Sequence, residues 1–344
     1  MKKIFIYSEK LKNSETDELN ILTESVFKCR DMINEPVSAL NSNNFPKIVQ
    51  NLSKDGGFSL EILNKQKIEA LKMGGLLGVN KGSIDPPVFL ILNWTPSKAI
   101  NKKPYLLVGK GIMFDTGGIN IKTGKYMEDM KCDMSGAAAV VSSIYAISKA
   151  KLPVSVIGLI PITDNRLNGN SLVPGDVITM HNGITVEVMN TDAEGRLILA
   201  DALSYAKKFK PELVIDIATL TGSASIAIGI YGIVGMHNKE ADNEFCKLQT
   251  SGEKVFERVV EFPFWDEYAE SIKSQVADLK NVGERDAGMI TAGKFLEKFT
   301  DYPYIHLDIA GPAFIDKNFN YWGSQATGIT VRLLYDFFAT KTTK

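Results

Sequence analysis

The chain has 344 residues, of which 44% are hydrophobic and 23% charged. That is enough apolar mass for one large domain or two ordinary ones, and it excludes a disordered or fibrous chain. With 39 basic and 40 acidic residues the formal charge is −1, which leaves no electrostatic footprint for nucleic acid or an anionic membrane surface. No stretch approaches the roughly 20 apolar residues of a membrane helix.

The first apolar run, 2–7, opens with two lysines and turns polar at Ser8. It is too short for a signal-peptide core and reads as a strand. Residues 17–33 have helical spacing and stop at Asn34-Glu35-Pro36. A helix is expected at about 45–54, a strand over Phe58–Leu63 and a helix over 65–77. Val88–Trp94 and Tyr105–Val108 are compact apolar runs that suit buried strands. Glu128–Ala150 is expected to be helical and carries the small-residue run Ser135-Gly136-Ala137-Ala138-Ala139, which suits close packing. Val154–Ile162 reads as a strand. Val177–Thr179 and Thr185–Met189 flank the hairpin signal His181-Asn182-Gly183. A helix over Arg196–Phe209 and a strand over Leu213–Ala218 follow. Helices are expected at 239–250, 266–280 and 289–299, a strand over Tyr304–Ile309, and a closing helix at 326–339. Alternating strands and helices define an α/β fold: a mixed, largely parallel sheet with helices on both faces, an α/β/α sandwich. From about residue 30 onward the chain reads as one domain, with no internal repeat.

Cys29, Cys132 and Cys246 are few, odd in number and lack a metal-ligand spacing. They point to a reducing compartment, and the cytoplasm is the expected location. Cys132 has no histidine near it in sequence to make it a nucleophile. His181 reads as a turn residue and His306 as a core histidine with its polar atoms satisfied. No Gly-x-Ser-x-Gly elbow is present for a serine hydrolase.

In open α/β sheets, sites form where strands end. Gly109-Lys110-Gly111 through Gly117-Gly118 forms a glycine-rich loop with a lysine, but its spacing is not that of a phosphate-binding loop. Lys110 and Asp115 are therefore candidates for a charged site. Glu128 and Asp129 read as solvated acids at a helix start, whereas Asp133, next to apolar and small residues, reads as buried. Thr219 and Gly222 follow another strand and either line a pocket or cap the next helix. The octapeptide Asn190-Thr191-Asp192-Ala193-Glu194-Gly195-Arg196-Leu197 puts two carboxylates and a guanidinium within five residues. In extended backbone, Asp192 and Glu194 would point the same way, and Gly195 would allow a sharp change of direction. Asp115, Asp133, Asp192 and Glu194 meeting in one crevice would need cations to neutralise them. Two divalent ions would do so.

These segments resemble the leucine (cytosol) aminopeptidase family. The resemblance rests on Val108-Gly109-Lys110-Gly111-Ile112, Phe114-Asp115, Gly117-Gly118, Lys122, Asp133 and the octapeptide 190–197. It extends from about Cys29 to the C-terminus, through Thr219-Leu220-Thr221-Gly222 and His306 to Pro312. It implies a metallo-aminopeptidase catalytic domain over 29–344 after a short extension, 1–28, with the family's usual N-terminal domain essentially absent. It implies that Lys110, Asp115, Asp133 and Glu194 bind one tight metal. A second, more exchangeable metal would be bound by Asp115, Asp192 and Glu194, with the Asp192 carbonyl assisting. The ions would be Zn²⁺, Mn²⁺ or Mg²⁺. Lys122 would polarise the scissile carbonyl and hold the gem-diolate, and Arg196 would hold a bicarbonate that relays a proton. Met130, Thr219, Gly222 and Ala310 would shape the pocket for the first side chain. The implied substrates are peptides with leucine-like N-termini, and the implied assembly is a homo-oligomer, a trimer or hexamer. A dipeptidase of the Cys-Gly type and a non-catalytic paralogue are the alternatives. Around Gly283-Glu284-Arg285-Asp286-Ala287-Gly288 the family more often has a glycine pair.

Overall fold

The computed structural model describes residues 12–342. The strand expected at 2–7 lies outside the described residues. In chain order, α1 (Asn13–Asn34) leads to α2 (Phe45–Gly56), β1 (Ser59–Leu63), α3 (Lys65–Ala70), α4 (Gly74–Asn80), β2 (Val88–Trp94), β3 (Tyr105–Gly109) and β4 (Gly111–Asp115). Then come α5 (Ser135–Lys149), β5 (Val156–Asn165), β6 (Val177–Thr179), β7 (Thr185–Glu187), α6 (Glu194–Ala206) and β8 (Leu213–Ala218). The remainder is α7 (Gly222–Ile228), β9 (Ile233–His237), α8 (Asp242–Lys254), β10 (Val259–Glu261), β11 (Leu279–Lys280), α9 (Gly288–Glu297), β12 (Tyr304–Asp308), β13 (Phe314–Phe319), β14 (Gly323–Ala326) and α10 (Val331–Thr342).

The main sheet has the order β1-β2-β5-β3-β8-β12-β9-β10, with β4 paired to β5 off that path. Its centre, β5-β3-β8-β12, is parallel, while β1, β2 and β9 bring antiparallel pairings to the flanks. This is the mixed, largely parallel α/β sheet expected from the sequence. Neighbouring residues of a strand serve opposite cores. Leu107 packs with α1, α2, α5, α8 and α10, whereas Leu106 and Val108 pack with α3, α4, α6 and α9. Burial on both faces explains why these strands are continuous apolar runs rather than alternating ones.

Several expectations are corrected. The helix expected over 65–77 breaks in two. Lys72 adopts a left-handed φ of 54°, and a Cβ on Gly74 would lie 1.9 Å from the Thr179 carbonyl oxygen. The segment read as a glycine-rich loop contains β4, paired with β5 from Gly111↔Ile162. The helix expected from Glu128 opens as a tight 3₁₀ turn, Met130–Met134, before α5. Residues 266–280 form only a 3₁₀ stretch, Asp266–Ile272, and then β11. The last helix starts at Val331 rather than 326, because Gly328 (φ 68°) and Thr330 (φ 72°) are left-handed. Strands β9, β10, β13 and β14 were not anticipated. His181 does lie in the β6–β7 turn. His306 is fully buried, but only Nδ1 is bonded, 2.8 Å from Asp216, and Nε2 has no protein partner.

Helix α1 runs unbroken through residues 28 and 29 and ties the start of the described chain to its end. The Tyr335 hydroxyl donates to Glu18 (2.8 Å), and the Ala326 N–H donates to the Asn34 side chain (3.1 Å). No helix among the described residues is long and apolar enough to cross a membrane.

Asp201, in the middle of α6 and fully buried, holds two elements at once. One carboxylate oxygen accepts from the Leu76 N–H at the start of α4 (2.9 Å), the other from the His181 N–H (2.9 Å). Burial pushes its carboxyl up to about 7 against these donors. A side-chain amide in place of this carboxylate would turn an NH₂ toward one of those N–H groups. Asp201→Asn is therefore expected to cost about 1–3 kcal/mol, measured by urea unfolding at neutral pH.

Candidate metal centre

Lys110 occupies the single-residue break between β3 and β4. Its N–H donates to the Ile217 carbonyl (3.1 Å) and its own carbonyl accepts from the Ala137 N–H (2.9 Å). A Cβ on Gly109 would lie 2.7 Å from the Gly136 oxygen, and one on Gly111 2.5 Å from that of Pro161. The two glycines therefore let three backbones close around the lysine. They form no phosphate cradle. From this rigid seat Lys110 Nζ reaches Asp133 Oδ1 (2.7 Å), Glu194 Oε1 (3.0 Å) and the Thr219 carbonyl (2.9 Å).

The carboxylates come from four places. Asp115 ends β4. Its Oδ1 accepts from the Gly117 N–H and from Asn165 Nδ2, both at 2.8 Å, and its Oδ2 lies 2.9 Å from Lys122 Nζ. Asp133 sits in the 3₁₀ turn before α5, and its Oδ1 also accepts from the Thr219 hydroxyl (2.8 Å). Asp192 lies on the loop before α6, 2.5 Å from Lys122 Nζ. Glu194 is the first residue of α6, where the helix dipole favours a negative charge. Asp192 and Glu194 converge, but not by the extended alternation inferred from their spacing, since the helix begins between them. Gly195 also has a different role from the one inferred. It is an ordinary helical residue of α6, and a Cβ there would lie 2.3 Å from Lys110 Cε.

One oxygen each of Asp115, Asp192 and Glu194 can be chosen within 4.8 Å of one another. Burial lowers the affinity of Lys110 and Lys122 for their protons, but the surrounding carboxylates outweigh it and hold both ammonium groups above their ordinary range. Burial, joined by the charges of Asp115 and Glu194, pushes Asp192 up to about 7. Burial also pulls Asp115 upward, yet Lys122 and Lys110 prevail and keep it low. Two buried carboxylate oxygens, Asp133 Oδ2 and Glu194 Oε2, have no hydrogen-bond partner. Buried acceptors left open in this way fit a bound cation.

A single cavity of about 360 Å³ is lined by Lys110, Lys122 and the four carboxylates. Met130, Thr219, Gly222 and Ala310 line the same cavity. Arg196 is the one predicted site residue not on its wall. It is buried, with Nη1 donating to the Asn281 carbonyl (2.7 Å) and Nε unpartnered. Burial lowers the Arg196 pKa to about 10, against the charges of Glu194 and Asp308. Thr219 both lines the cavity and holds Asp133, while the cap of α7 is made by Thr221, whose hydroxyl oxygen accepts from the Ala224 N–H (3.1 Å). Glu128 and Asp129 are exposed. Burial pushes the Cys132 thiol up to about 12, which is unsuited to a nucleophile.

The cavity also includes Tyr126, Leu220, Ser225 and Ile226, which sequence reasoning missed. Ser225 and Ile226 follow Gly222 at i+3 and i+4, a spacing that shares one helix face. Asn120 and Asn165 were missed too. Asn165 Nδ2 joins Asp115 to the Thr191 carbonyl (3.0 Å), and the Asn120 side chain accepts from the Thr191 N–H (2.9 Å).

This combination defines a class: an α/β domain with a lysine–carboxylate cluster of metal-binding type at its strand ends. The chain belongs to the cytosol aminopeptidase family, whose catalytic-domain model matches residues 27–335. A probable cytosol aminopeptidase of Chlorobaculum parvum is 51% identical over 316 residues, covering 89% of this chain and 61% of that protein. One from Chloroherpeton thalassium is 48% identical over 337 residues, covering 96% of this chain and 64% of its own length. The chain thus spans less than two thirds of these relatives. Among solved structures, the bottromycin maturation enzyme BotP in complex with Mn matches with a TM-score of 0.91 and 30% identity, over 99% of this chain and 77% of that one.

Gly195→Ala tests the packing around Lys110. Alanine is at home in a helix, so the fold is expected to persist while Lys110 is displaced. Mn²⁺ titration should then show affinity weakened about 10- to 100-fold.

Proposed function

We propose that this chain is a two-metal aminopeptidase that releases N-terminal residues, leucine-like ones preferentially, from peptides. The observation that carries the reading is the convergence of two lysines and four carboxylates on one cavity, with two buried carboxylate oxygens left without partners. In this reading Lys110, Asp115, Asp133 and Glu194 hold one ion. Asp115, Asp192 and Glu194, with the Asp192 carbonyl, would hold the other, so that Asp115 and Glu194 would serve both. A lysine ligand would have to be neutral, so Lys110, whose ordinary pKa is ~10.4, would have to give up the proton that the surrounding carboxylates favour. The mainly oxygen donor set accommodates Zn²⁺, Mn²⁺ or Mg²⁺. When bound, the ions supply Lewis-acid activation of the scissile carbonyl and of water.

The chain's own groups do the rest. Lys122 Nζ, poised between Asp115 and Asp192, donates to the carbonyl oxygen where negative charge develops. Arg196 would hold a bicarbonate, which would supply a proton relay from the attacking water to the leaving amine. Met130, Gly222 and Ala310, with Thr219, receive the first side chain. One methylene in such a pocket is worth only ~1–3 kcal/mol, so a broad preference is expected. Peptides are the substrates, the cytoplasm the location, and a trimer or hexamer of this chain the assembly. The net charge of −1 gives no footing for nucleic acid.

The test is hydrolysis of a leucine anilide by metal-stripped protein with Mn²⁺ or Zn²⁺ restored, beside a sizing column. Metal-dependent turnover from an oligomer peak is the expected result. Asp192→Ala and Glu194→Ala are each expected to lose more than about 10²-fold in kcat, and full turnover by either would sink the metal mechanism. Faster cleavage of Cys-Gly than of leucine, methionine or arginine amides would replace the aminopeptidase with a dipeptidase.

A further inference from the structure

We infer that Asn281, which touches neither the cavity nor any carboxylate of the centre, is the positioning residue for the loop that carries Asp192 and leads into Glu194. The inference rests on the two-metal reading for its catalytic consequence, though not for its geometry. Asn281 is fully buried and lies just past β11, 91 residues from Asn190. Its hydrogen bonds among the described residues all end on residues 187–196. Its N–H donates to the Glu187 carbonyl (3.0 Å). Its Oδ1 accepts from the Met189 N–H (2.8 Å) and the Asn190 N–H (3.3 Å), and its Nδ2 donates to the Asn190 carbonyl (2.7 Å). Its carbonyl accepts from Arg196 Nη1 (2.7 Å).

The chain from 188 to 193 belongs to neither strand nor helix, so these bonds replace the ladder it lacks. The clasp passes straight to the site, because Asn190 Oδ1 accepts from the Asp192 N–H (2.8 Å). On the other side, Thr191 is held by Asn120 and Asn165. Asp192 therefore stands between two clamps, one of which is Asn281. A primary amide suits this place, since it offers an acceptor and a donor side by side. Aspartate has no donor to give Asn190, and a shorter side chain does not reach.

A simpler role, gluing β11 to β7, is already filled. The strands pair through Leu279↔Val186 and Lys280↔Glu187, and the Asp278 carboxylate accepts from both the Thr185 N–H (2.8 Å) and its hydroxyl (2.6 Å). Asp278→Ala is therefore the control that loosens the strand pair without touching the loop.

The experiment compares Asn281→Ser, Asn281→Ala and Asp278→Ala in the full chain. Hydrogen exchange of the 189–193 amides is followed in metal-free protein, then Mn²⁺ titration, the kcat–KM split on a leucine amide, and thermal unfolding. Expected for both Asn281 variants are faster exchange over 189–193 and Mn²⁺ affinity weakened about 10- to 100-fold, with kcat falling and KM nearly unchanged. Asp278→Ala should leave loop exchange and Mn²⁺ affinity as in the wild type. The inference is overturned if exchange over 189–193 stays at the wild-type rate, or if Asp278→Ala reproduces the same changes. Failure of both Asn281 variants to fold would also overturn it, by assigning the residue to the framework. If the loop loosens while wild-type protein cleaves no peptide, the clasp stands and the aminopeptidase reading falls.

Discussion

Repulsion among four carboxylates in one crevice is the constraint around which this molecule is arranged. Two like charges 5 Å apart repel by about 3 kcal/mol at an effective dielectric of 20, and these four are largely sheltered from water. Lys110 and Lys122 offset part of that charge. Each does so by bridging two acids at once. The backbone closes tightly around one of them. Lys110 is seated where β3 gives way to β4, with glycines on either side and the start of α5 against its carbonyl. The small-residue run of α5 belongs to the same device, since a Cβ on Gly136 would lie 2.0 Å from the Ile217 oxygen.

The fold class was legible because burial on both faces leaves an unmistakable mark. Residues 88–92 and 213–215 are unbroken apolar stretches, and the structure places their strands where the sequence pattern does. The losses have physical reasons. β4 hides behind its flanking glycines, which look like a loop although they serve close backbone approach. Val259–Glu261 is a three-residue edge strand of which only Val259 is buried, so it has no period to detect. The break at Lys72 and, beside Gly328, the late start at Val331 turn on left-handed Lys72 and Thr330, residues whose type offers no warning.

The convergence of Lys110, Lys122 and the four carboxylates on one cavity was legible because charged residues have few reasons to be buried. Asp133 shows this: a carboxylate beside small apolar neighbours has to be paired, and it is. The amides behind the charges were not legible. Asn120, Asn165 and Asn281 look like any loop asparagine until the backbone they hold is known. Gly195 matters for the space it leaves for Lys110 rather than for any freedom of its own backbone.

The contact between α1 and the end of the chain sets a schedule. Asn34 meets its partner Ala326 across 292 residues. At about 5–20 residues per second that separation takes roughly 15–60 s to synthesise. Throughout that interval Val26, Cys29, Met32 and Ile33, all buried in the finished molecule, lack the β14 and α10 surfaces they pack near. The helix that opens the described fold, though it can pack on α5 early, is thus among the last to be fully covered.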